Sequence, residues 1–192
     1  MDEQILTSAK AAQRSATAIT DAVAQVMSES DDLARAAAFE EAQETILALI
    51  AAVIAADGAT TYHEFIFASL ITKDLRDPMR CRAYLTDCAA RWTTISQTTP
   101  RFLTEVIRYD EKNSSSLCRE ILEELKNLVH YTAAVDGEIS HLEMRVAEGL
   151  IARADACFRQ ARWSVKWEEH SLPAFPISAS LKREEFGNRE IV

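Results

Sequence analysis

Residues 41–71 and 120–150 align without a gap when the chain is slid along itself by 79 positions, and this self-similarity constrains the fold more than any other feature. Identities fall at Glu41/Glu120, Glu44/Glu123, Leu49/Leu128, Ala55/Ala134, Asp57/Asp136, Gly58/Gly137, Glu64/Glu143 and Ala68/Ala147. Each copy carries an apolar stretch into Ala-Asp-Gly or Val-Asp-Gly. A glycine there tolerates positive φ, so a helix can stop. Thr61-x-x-Glu64 and Ser140-x-x-Glu143 follow, and both are capping boxes that start a new helix. Asp57 and Asp136 can accept hydrogen bonds from free loop amides. The pattern predicts two αα-hairpins, related by a pseudo-twofold and closing on each other's apolar faces.

The rest of the chain agrees with an all-α bundle of about seven helices. Four Gly and four Pro in 192 residues leave little turn chemistry for a β-protein. Helices are expected over roughly 4–28, from the Ser30 cap to about Ala56, over 62–74, and after the Asp77-Pro78 start signal. The second of these should turn Phe39, Ala42, Ile46, Leu49 and Val53 to one face, and the fourth Tyr84, Leu85, Cys88, Trp92 and Ile95. Thr99-Pro100 repeats the start signal, and the polar break Asn113-Ser114-Ser115-Ser116 supplies candidate caps for a helix to Val135. A last long helix should reach about Glu169. The organisation expected is a heptad helix over 1–30, a helical domain over 31–170 and a Pro-containing tail or linker over 171–192.

The repeat corners resemble the TerB-like family. Ile-Ala-Ala-Val-Ile-Ala-Ala-Asp-Gly-x5-Glu and Val-His-Tyr-Thr-Ala-Ala-Val-Asp-Gly-Glu-Ile-Ser-x2-Glu are similar to its Ala-Asp-Gly turns with a following acid. That family includes tellurite-resistance TerB and the amino-terminal region of the membrane-anchored co-chaperone DjlA. The resemblance spans roughly 40–155, and the first copy departs from the pattern by lacking an acid where the second has Glu138. It implies a non-enzymatic interaction or scaffold module of a bacterial stress or defence system. An alternative implication is a tellurite-resistance-type protein that binds or senses a divalent metal. Association with a membrane would then be peripheral, through a membrane-bound partner.

Candidate sites follow from the residues. Asp57, Glu64, Asp136, Glu138 and Glu143 could gather oxygen ligands for Ca²⁺ or Mg²⁺ if the corners meet. The same acids also serve as loop and helix caps, and neither glycine lies in a D-x-D-x-D-G frame. His63, His130, His141 and His170 show no zinc spacing. Ile5, Ala9, Ala12, Ala16, Ile19, Val23 and Val26 form an a/d stripe. It suits either the chain's own core or self-association and a protein partner. Trp163 and Trp167 stand one turn apart near Phe158, interleaved with Arg159, Arg162 and Lys166. They suit either packing under the first helix or tail, or a partner-binding patch.

A net charge of −9 opposes nucleic-acid binding. The most apolar run, Ile46 to Ala56, has 11 residues where a bilayer needs about 20, so no transmembrane segment is expected. Residues 1–20 do not read as a secretory signal, and Cys81, Cys88, Cys118 and Cys157 read as reduced, buried thiols of a cytoplasmic protein. No P-loop, nucleophile elbow or dinucleotide glycine pattern points to an enzyme.

Overall fold

The computed structural model describes residues 3–56, 61–72, 78–98, 100–135 and 141–170, without the side chains of 72, 78–80, 141–143, 164 and 166–170. Among these residues the chain is all helical. In order, α1 (Glu3–Val26), a 3₁₀ turn (Met27–Glu29), α2 (Asp32–Ile54), α3 (Tyr62–Thr72), α4 (Pro78–Ile95), α5 (Arg101–Asn113), α6 (Leu117–Ala133) and α7 (His141–His170) pack around one core. None of these helices is long and apolar enough to cross a membrane.

The centre of the bundle is α2. From Thr45 to Ile54 its side chains are buried almost all round, with Ala48, Leu49 and Ala51 fully enclosed. A helix apolar on every side belongs in a core. Its alanines bring neighbours close, and α4, α6 and α1 pack along it. The first half is different. Ala38 and Ala42 face inward while Phe39 remains 38 % exposed, so Phe39 leaves the face predicted for it. Its neighbour Ala38 occupies the inward direction instead.

The amino-terminal helix belongs to this core. Ile5, Ala9, Ala12, Ile19 and Val23 are buried against the chain's own helices, chiefly α6, with α2 and α3. Ala16 and Val26 are only partly buried, while Ser15 and Ala22 are enclosed. A straight helix advances 3.6 residues per turn, so it drifts off a strict 3.5 repeat and brings in the neighbouring positions. Most of the stripe is therefore taken up by the chain's own core, with Ala16 and Val26 left partly exposed. Two glutamines of α1 also tie down other helix ends. Gln4 Nε2 donates to the Ala134 carbonyl at 3.2 Å, and Gln13 Nε2 to the Leu70 carbonyl at 3.0 Å. These satisfy carbonyls that the C-termini of α6 and α3 leave without intrahelical partners.

Caps depart from the sequence reading in two places, at α2 and α6, and at α5 a remote carboxylate joins the predicted start signal. Asp31, not Ser30, caps α2: its Oδ1 accepts from the Ala34 amide at 2.8 Å. Ser30 instead closes the 3₁₀ turn, with its amide donating to the Met27 carbonyl. At α5, Pro100 stands at the cap position and offers no side-chain acceptor, while Thr99 lies outside the described residues. The Glu41 carboxylate, from α2, accepts from the amides of Arg101 (3.0 Å) and Phe102 (2.9 Å). At α6 the serines do not cap the helix amides. Asp110, on α5, accepts from Leu117 N at 3.0 Å and Cys118 N at 2.8 Å.

The Asp57-Gly58 and Asp136-Gly137 corners lie outside the described residues. Their flanks can be compared. Thr61 and Glu64 form the predicted capping box: Thr61 N donates to Glu64 Oε2 at 2.7 Å and Glu64 N to Thr61 Oγ1 at 3.2 Å. Ser140 is outside the described residues, and so is the Glu143 side chain. Helix α6 packs along α7, whereas α2 meets α4 and shares little contact with α3, which turns to α1 and α4. The flanks thus differ in packing despite their shared sequence pattern.

Candidate functional site, a groove between three helices

The last turn of α5, the first two turns of α6 and the middle of α7 enclose an open groove of about 740 Å³. Local chemistry sets its mouth. Helix α5 ends at Ser114, whose φ of 54° puts it in the left-handed region, so the chain reverses within three residues into α6. Asp110 fixes this corner from within, accepting from Ser115 Oγ at 2.6 Å besides the two α6 amides. The floor is apolar, formed by Ile107, Leu122 and Phe158.

Three arginines line the groove: Arg119 from α6, and Arg159 and Arg162 from α7. All three are exposed, and none forms an ion pair among the described residues. The acids nearby are mostly engaged. Asp110 is held by the α6 amides, and Asp155 lies 3.7 Å from Lys126 Nζ. Among the described residues, Glu111 is the lining acid with no such partner. The lining is formally balanced, three arginines against Asp110, Glu111 and Asp155, with two of the three acids held by other groups.

Trp163 follows Arg162 and stands one turn from Arg159, and it is 69 % exposed. It is therefore not covered by α1. Phe158 turns inward and is buried. The side chains of Trp167 and Lys166 lie outside the described residues.

The thiols are held in their neutral form. Burial raises the Cys81, Cys88 and Cys157 pKa values, though Cys88 is also drawn down by its hydrogen bond to Tyr84. Cys118, at the groove wall, is pushed up to about 11 by burial and by the Asp110 carboxylate, against the opposing pull of Arg162. Cys118 is half-buried rather than buried, and all four cysteines are free thiols. A protonated thiol is a poor nucleophile and metal ligand.

Of the acids read as metal ligands, Glu64 is buried and accepts from the Thr61 amide, so its carboxylate is committed to starting α3. Asp57, Asp136 and Glu138, together with the Glu143 side chain, lie outside the described residues. Among the described residues no group of three or more His, Cys, Asp or Glu side chains is arranged to hold a metal ion.

The sequence pointed to Arg159, Arg162 and Trp163, but not to Arg119, Asp110 or the α5–α6 corner. Asp110 had a legible signal, an acid one turn before a serine-rich helix break. Arg119 had none, since only the packing of α6 on α7 brings it to the other two. A scan against protein-family models found no match, and searches of curated proteins and of solved structures found none either.

Proposed function

We propose that the chain is a non-enzymatic helical interaction module with a TerB-like role in a bacterial stress or defence system. Its working surface is the α5–α6–α7 groove with Trp163, and not the amino-terminal helix. One observation carries this reading: three exposed arginines, none in an ion pair among the described residues, and an exposed tryptophan adjoin a groove with apolar residues in its lining. Arg and Trp are the side chains most enriched where protein partners bind tightly. Trp163 is 69 % exposed and stands outside the buried core cluster. The protonated state of the thiols argues in the same direction, away from nucleophilic chemistry at the groove.

A photo-crosslinking residue placed at 163 and, separately, at the exposed Lys10 of α1 tests the assignment in the native host. The expected result is one protein captured repeatedly from position 163, which then binds the purified chain and loses binding to R159E/R162E. Capture from position 10 alone, or a partner indifferent to the arginine changes, would overturn it.

A further inference from the structure

We draw no further inference here: the strongest candidate, the apolar surface patch that Leu33, Ala36, Ala37 and Phe39 leave exposed on the first turns of α2, carries nothing because nothing in the structure shows what covers it.

Discussion

The amino-terminal helix and the middle of α7 carry similar signals, apolar side chains at helical spacing flanked by polar ones, yet they end in opposite environments. In α1 the stripe is small and regular, and it closes against α6, α2 and α3. In α7, Phe158, Ala161 and Val165 supply the inward face, while Arg159, Arg162 and Trp163 stay outside. The difference teaches that periodicity tells which side chains share a face, not whether that face already has a partner within the chain. An alanine-rich stripe packs closely but presents little area to an outside protein. An exposed Trp with two Arg beside it presents area and charge together.

Removing residues 1–28 gives the sharpest break in this comparison. It uncovers the α6 and α2 faces and frees the carbonyls held by Gln4 and Gln13. The expected outcome is loss of the cooperative urea transition; a truncated chain that still unfolds in one transition would contradict the integral role of α1. A smaller change in the same helix, Ile19→Ala, should cost about 2–5 kcal/mol in urea unfolding, the usual range for deleting a fully buried aliphatic side chain.

At the other end, Cys118 reports on the groove wall. With its pKa raised from 9.0 to about 11, its thiolate fraction at pH 8 should fall about a hundredfold below that of an ordinary thiol. Alkylation of the native chain should therefore stay slow until the pH passes about 11. The same shift sets a sign for stability. The folded state holds this proton more tightly than the unfolded one, so its contribution is intact below pH 9 and lost as pH rises toward 11. Rapid labelling at pH 8 in native buffer would refute the described burial.

Caps supplied by other helices come next in size. Asp110→Ala should cost about 1–2 kcal/mol, because two α6 amides and Ser115 lose their acceptor. Binding of a partner captured at the groove should weaken with it, since the α5–α6 corner lines the groove. An unchanged urea midpoint would show that the corner holds without the carboxylate. Trp163→Ala is the smallest expected stability effect, within about 0.5 kcal/mol, because the ring is exposed. Its effect on partner binding should be much larger than its effect on unfolding. A large loss of stability would mean that Trp163 supports the fold after all.

Much of the fold was legible from local pattern alone. The seven helices begin and end within a few residues of their predicted limits. The Thr61–Glu64 box forms as its spacing requires. The buried core helix follows from the uninterrupted apolar run after Thr45. The misreadings share a cause. Ser30 and Ser114 to Ser116 were judged by neighbours in sequence, while Asp110, and Glu41 at the start of α5, reach from other helices. Glu41 lies 60 positions from the amide it caps, and no local rule connects the two.

The amino-acid sequence by itself determined where helices form, which residues share a face, and the polar break at which α5 gives way to α6. Those properties depend on backbone propensity and side-chain spacing within a turn or two. Only the tertiary structure decided that the α1 stripe would be enclosed, that Arg119 would join Arg159 and Arg162, and that Asp110 and Asp155 would turn their charge elsewhere. Burial and charge pairing depend on which helices become neighbours. That is settled by how all the faces close together, not by any one of them.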